Sequence, residues 1–221
     1  MSNTPIPGAA AAAAASLPDV ILLNGTSSAG KSSLTLALQA RVPLVRLGID
    51  DFVYERAPVG WFGAPEGFHR VAGREGEAPV MRYGAEALKL WRAYHRTVRV
   101  CVAEGLRVVV DDAILTRELL DDWLEALAGL DVFFVGVHCA PEELTWREIA
   151  RRDRTPGSAV AAMGRVHAHG LYDLELDATT TPASALAVQV LAALETRTGP
   201  SAFERLRVSR VEGGRSTTAD D

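Results

Sequence analysis

Cysteine is scarce in this sequence, with Cys101 and Cys139 the only two in 221 residues. Neither stands at metal-ligand spacing, and the chain has none of the features of a small secreted domain. No disulfide framework or zinc site is indicated, and both are expected as buried, reduced thiols. Long apolar runs are missing too. The alanine run Ala9 to Ala15 is too short and too weakly apolar to span a bilayer, and no basic stretch precedes it as in a signal peptide. It is expected to belong to a disordered tail, residues 1–17, on a cytoplasmic protein. Positive charge is also in deficit: the net charge is -5 at pH 7. An acidic surface is poorly suited to holding nucleic acid, so neither a nucleic-acid nor a membrane partner is expected. What remains is the composition of an ordinary globular protein, 48% hydrophobic and 23% charged, long enough to bury a full core. One domain over residues 18–197, followed by a disordered tail over 198–221, is the simplest organisation.

Short apolar runs alternate with helix-compatible stretches. Val20 to Leu23, Leu44 to Leu47, Leu106 to Val110, Asp131 to Val137 and Leu174 to Leu176 read as strands. Their continuous apolarity suits burial on both faces of a parallel sheet. Between them, Lys31 to Arg41 places Leu34, Ala37 and Leu38 along one helical face. Tyr83 to Glu104 carries Trp91, His95, Val98 and Val102 near one stripe and closes at Gly105. Thr116 reads as the N-cap of a helix reaching about Ala128. Pro141 opens another helix at a favourable first-turn position, a shorter helical stretch passes through His167, and the last runs from Pro182 to about Thr196. This alternation predicts a three-layer α/β/α fold with a mainly parallel, five-stranded sheet, whose ligands gather at the carboxyl ends of the strands. From Glu55 to Arg82 the pattern gives way to proline and glycine interleaved with Trp61, Phe62 and Phe68. A loop this long is functional or disordered, and the aromatics favour function. The substrate region is therefore expected within residues 52–85.

The chemistry starts at Gly25-Thr26-Ser27-Ser28-Ala29-Gly30-Lys31-Ser32, which fits G-x-x-x-x-G-K-[ST] between a strand and a helix. Gly25 and Gly30 allow a tight turn and close backbone approach, so that successive N–H groups of Gly25 to Ser33 surround a phosphate at the positive end of the helix. Lys31 reaches the β- and γ-phosphates, and the Ser32 hydroxyl is placed for Mg²⁺. A nucleotide, expected to be ATP, follows. Asp50, in Gly48-Ile49-Asp50-Asp51 after the second strand, is the candidate base for an acceptor hydroxyl; the competing role, capping the next helix, suits Asp51 better. Asp111 and Asp112 end an apolar strand and are candidates to hold Mg²⁺, against a purely structural pair. In Arg147-Glu148 to Arg154, spacings of four and three put Arg147, Arg151 and Arg154 on one face of a candidate lid, about residues 147–160. Those arginines would neutralise phosphate charge, unless they are a solvated face paired with Glu148 and Asp153. Trp61, Phe62 and Phe68, with Asp50 and Asp112, are candidates for the acceptor; the aromatics equally suit anchoring the loop. His138, His167 and His169 lack a metal-like set of partners and are expected to be ordinary surface or edge residues.

Taken in order, these segments resemble the chloramphenicol phosphotransferase family: Val20 to Ser32, Gly48-Ile49-Asp50, Val108 to Asp112, Asp131 to Val137, Arg147 to Arg154, and Val166-His167 with Tyr172 to Asp177. The ordered set is far more specific than the loop alone. The resemblance implies a P-loop NTPase fold of the nucleoside- and shikimate-kinase kind, with ATP as phosphoryl donor and a small-molecule hydroxyl as acceptor. It places Asp50 at the catalytic-base position, the arginines in the lid and Tyr172 to Thr180 near the nucleotide base. Chloramphenicol or a related antibiotic is then the first acceptor to try, with a nucleotide sugar or other metabolite as alternatives. An ATP-binding module that phosphorylates nothing is the reading from another class.

Overall fold

The computed structural model describes residues 17–72, 79–151 and 156–216. The parts of the expected tails at residues 1–16 and 217–221 lie outside the described residues, as do Arg152 and Arg154.

The sheet is built around β1 (Val20–Asn24), buried along its whole length. β5 (Val108–Asp112) and β6 (Val132–His138) flank it in parallel, in registers that align Asn24 with Asp112 on one side and with Gly136 on the other. β2 (Val45–Gly48) lies outside β5 and β7 (Leu174–Asp177) outside β6, which gives the order β2-β5-β1-β6-β7. The connecting helices are α1 (Lys31–Gln39), α2 (Ile49–Arg56), α3 (Ala85–Ala103), α4 (Arg117–Ala126), α5 (Pro141–Arg151), α6 (Ser158–Val166) and α7 (Ala183–Thr196). Successive strand residues point to opposite faces, and two cores result. Val20, Leu22, Val110 and Phe134 pack on one side with Tyr94 and Trp123. Ile21, Leu23, Val109 and Val135 pack on the other with Leu34 and Val190. Thr116 caps α4 as expected, its Oγ1 accepting from the Leu119 N–H at 3.3 Å. Cys101 and Cys139 are both free; Cys139 is buried and Cys101 partly so.

Two segments differ from the sequence reading. Within residues 52–85, a short 3-10 turn at Val59–Trp61 precedes an antiparallel hairpin of β3 (Phe68–Val71) and β4 (Val80–Tyr83), with Phe68 opposite Tyr83. The glycines and prolines that suggested a loop lie outside those two strands. The segment expected as a C-terminal disordered tail contains a helix, α8 (Ala202–Ser216). Its apolar stripe is narrow, but Phe203 sets its ring edge-on to Phe134 at 5.2 Å, and the Ala202 N–H donates to Asp173 at 2.6 Å. Tertiary contact, not local periodicity, holds this helix in place.

Candidate active site

The carboxyl edge of the sheet carries the phosphate loop. Gly25 is required there because a Cβ would lie 2.5 Å from the Val137 carbonyl oxygen. Gly30, at φ 97°, is the left-handed residue that opens α1, a conformation costly to any residue with a side chain. Lys31 is almost fully buried, donates to the Thr26 carbonyl at 2.8 Å and lies 3.5 Å from Asp111. Ser32 donates its hydroxyl to the other Asp111 oxygen at 2.5 Å. The hydroxyls of Ser27 and Ser28 are buried and have no hydrogen-bond partner among the described residues. Polar groups turned inward in this way, around a loop that presents backbone N–H groups, fit an anionic ligand.

Asp111 and Asp112 do not act as a pair, because adjacent strand residues face opposite sides of the sheet. Asp111 faces Lys31 and Ser32. Asp112 is fully buried on the other side, accepting from Trp123 Nε1 at 2.6 Å and from the Ala113 N–H at 2.7 Å. Burial raises its pKa, opposed by the nearby His95 and the Trp123 hydrogen bond. His95 is itself buried, stacked on Trp123 and bonded to Asp122. Asp112, expected for the metal or the acceptor, borders the space over Lys31 and Ser32, but both of its carboxylate oxygens are already engaged, by Trp123 and Ala113.

Asp50 lies in the first turn of α2, whose N-cap is Gly48. Asp51 does not cap the helix but pairs with Arg46 at 3.1 Å. Asp50 borders two spaces at once. One lies over Lys31, Ser32 and Asp111. The other is a cavity of about 210 Å³ lined by aromatic rings that include Phe62, Phe68, Tyr83 and Trp91. Phe62 stacks on Phe68 at 5.4 Å. Trp61 is not on that wall; it is partly buried against the core.

A further cavity of about 460 Å³ lies on the other side of the phosphate loop, between α5 and the start of α7, bordered by Ser33, Trp146, Arg147, Arg151, Thr181 and Pro182. Arg147 is a tie across it. Its guanidinium donates to the carbonyls of Ser28, Ala178 and Thr179 at 3.3, 2.8 and 3.2 Å, and to Glu143 at 2.7 Å. Arg151 shares this wall. The competing reading of the arginines paired them with Glu148. It is instead fully buried and accepts from the Gly157 N–H, the Ser158 hydroxyl and the Ala159 N–H at 2.8 to 3.0 Å, which caps α6.

The histidines form a network beneath the loop. Asn24 donates to the Val166 carbonyl and to Tyr172 Oη at 2.7 and 2.8 Å, and lies 3.1 Å from His169 Nε2. His167 meets the same hydroxyl at 2.6 Å and stacks on His138, which reaches Glu175 at 2.8 Å. Burial, then the charges of His138, His169 and Lys31, lower the pKa of His167 to about 4; burial alone lowers that of His169 to about 4. All three are half-buried and bonded into one network, which sets them apart from ordinary surface residues. The sequence reading also passed over Arg70 and Arg165, which line the aromatic cavity. For Arg165 a signal existed: Ser158, Ala162 and Arg165 recur at helical spacing along one face of α6.

A parallel sheet in this order, with a phosphate loop between β1 and α1 and an acidic residue facing the loop from β5, defines a P-loop kinase-type enzyme. Solved structures share the fold, among them two kinases. A gluconokinase from Sinorhizobium meliloti 1021 aligns with a TM-score of 0.57 at 20% identity, covering 81% of this chain and 93% of that one. The Mycobacterium tuberculosis APS kinase CysC in complex with AMPPNP and APS aligns with a TM-score of 0.52 at 16% identity, covering 80% and 97%. The chain belongs to the family described as chloramphenicol phosphotransferase-like, which it matches over residues 18–195. It is also 37% identical over 214 residues to the Mycobacterium tuberculosis H37Rv protein named "Putative O-phosphotransferase Rv2636", covering 89% of this chain and 92% of that protein. Among the described residues, no helix is long and apolar enough to cross a membrane.

Proposed function

We propose that this chain transfers the γ-phosphoryl group of ATP to a hydroxyl of a small molecule held in the aromatic cavity. The observation that carries the reading is the position of Asp50, which borders both the space over Lys31 and Ser32 and the cavity lined by Phe62 and Phe68. A carboxylate at that junction accepts the acceptor's proton as its oxygen attacks the γ-phosphorus, and the bond to the β-phosphate oxygen breaks. Lys31 neutralises the β- and γ-phosphates, and the buried Ser27 and Ser28 hydroxyls face the same anion. Arg147 holds the loop that cradles it, while Arg151, at the end of α5, supplies charge from the lid side. The cavity between α5 and α7 is the place for the nucleoside.

The donor set also fits Mg²⁺: Ser32 and Asp111 offer hard oxygen ligands side by side. Among the described residues no cluster of three or more His, Cys, Asp or Glu side chains is arranged around a metal, as suits an ion that takes most of its ligands from phosphates and water. When bound, the ion neutralises charge on the β- and γ-phosphates.

The family makes chloramphenicol the first acceptor to try, in a panel with hydroxylated acids, nucleosides and sugars. Acceptor-stimulated ADP release is the readout, and Asp50→Asn is expected to lower it about 10²- to 10⁴-fold while an ATP analogue still binds. Undiminished turnover in that variant would remove Asp50 from the base role. No stimulation by any acceptor would favour a nucleotide-dependent binding module.

A further inference from the structure

Among the described residues, the aromatic cavity has an unbalanced charge: its walls carry two guanidinium groups, Arg70 from β3 and Arg165 from α6, against one carboxylate, Asp50. Arg70 already engages a partner, so the argument rests on Arg165. This side chain is half-buried and makes no hydrogen bond or ion pair among the described residues. It stands in the wall between the aromatic cavity and a neighbouring hollow of about 320 Å³. On the aromatic side, Trp91 is only 6% exposed and its buried Nε1 has no hydrogen-bond partner among the described residues. A guanidinium drawn partly out of water beside aromatic rings is stabilised when an occupant supplies the counter-charge, and a carboxylate does so with two parallel hydrogen bonds.

We infer that the acceptor is a hydroxylated acid: a molecule with an aromatic or similarly apolar body that presents its hydroxyl to Asp50 and pairs a carboxylate with Arg165. The inference rests on the proposed role of Asp50 and adds the substrate class. The rings of Phe62, Phe68 and Trp91 take up the apolar body. Arg165 fixes its orientation, and a neutral hydroxyl compound of the same shape leaves that cation unpaired. Arg165 is therefore a specificity residue and takes no part in the transfer itself.

Matched probes test this: tropate, mandelate, 3-phenyllactate and 4-(hydroxymethyl)benzoate, each beside its methyl ester, with binding measured by calorimetry and turnover by ADP release. At least one acid is expected to bind roughly ten- to a hundred-fold more tightly than its ester, the range of a charge-assisted hydrogen bond. Arg165→Met should remove that preference and Arg165→Lys retain part of it. The comparison in the unaltered protein does not depend on either variant folding. If no acid binds more tightly than its ester, the inference is overturned. It is overturned equally if Arg165→Met lowers turnover of acid and ester by the same factor, since Arg165 would then serve the phosphoryl group. If acids bind through Arg165 but only neutral hydroxyl compounds are phosphorylated, the acceptor class is overturned and the kinase reading stands. If acids bind through Arg165 and nothing is phosphorylated, it is the kinase reading that fails, and the acceptor class with it.

Discussion

At the scale of the residue, neighbouring carboxylates do different work because the pleat turns them apart. Asp111 lies against Ser32 and Lys31, while Asp112 is locked to Trp123 and Ala113 in the core. Two substitutions separate these roles. Asp111→Asn should lower Mg²⁺-dependent turnover with little change in melting temperature. Asp112→Ala should instead destabilise the fold by about 1–3 kcal/mol, because it strands the buried Trp123 N–H. Thermal unfolding with parallel ADP-release assays measures both. If Asp112→Ala melts like the unaltered protein, the carboxylate is not the structural group described above. Nothing in the dipeptide Asp111-Asp112 reveals this division, since either residue could have faced the loop until the register with β1 was known.

At the scale of the element, Glu148 shows how one helix holds the start of the next. A carboxylate at a helix start is favourable twice over, by hydrogen bonding to free N–H groups and by interaction with the helix dipole. Here it comes from α5 and binds the first turn of α6, the helix that brings Ser158, Ala162 and Arg165 to the aromatic cavity. Glu148→Ala is expected to cost about 1–3 kcal/mol and to speed amide exchange through α6. The KM for the acceptor should rise more than the KM for ATP. Unchanged exchange in α6 would show that the cap does not hold the helix. Elements differ in how well they can be read from the chain. α4 announces itself through Thr116, whereas α8 depends on Phe203 finding Phe134, a contact without local signature.

At the scale of the whole molecule, the network beneath the phosphate loop links β1, β6, β7 and the turn after α6, and it ties stability to pH. His167 and His169 have an ordinary pKa of 6.5, lowered to about 4 in the fold chiefly by burial. They face His138, Tyr172, Asn24, Glu175 and Lys31. Between these two values the unfolded chain binds protons that the folded chain refuses, so stability falls as pH drops through that window. The melting temperature should decline from pH 6.5 towards about 4, and a His167→Gln, His169→Gln double variant should show a shallower slope across it. An identical slope in the double variant would place the pH dependence elsewhere. Within this molecule the sequence by itself determined the alternation of strands and helices, the parallel sheet and the phosphate loop, because each depends on residues close together in the chain: a run of apolar side chains, a glycine, a lysine at the start of a helix. Only the tertiary structure decided which aspartate faces the loop, that Arg147 ties backbone carbonyls together, that the supposed substrate loop is a hairpin, and that Arg165 shares a cavity with Asp50. Those relations join segments far apart in the chain, and the strand registers and helix packing that bring them together leave no local pattern to read.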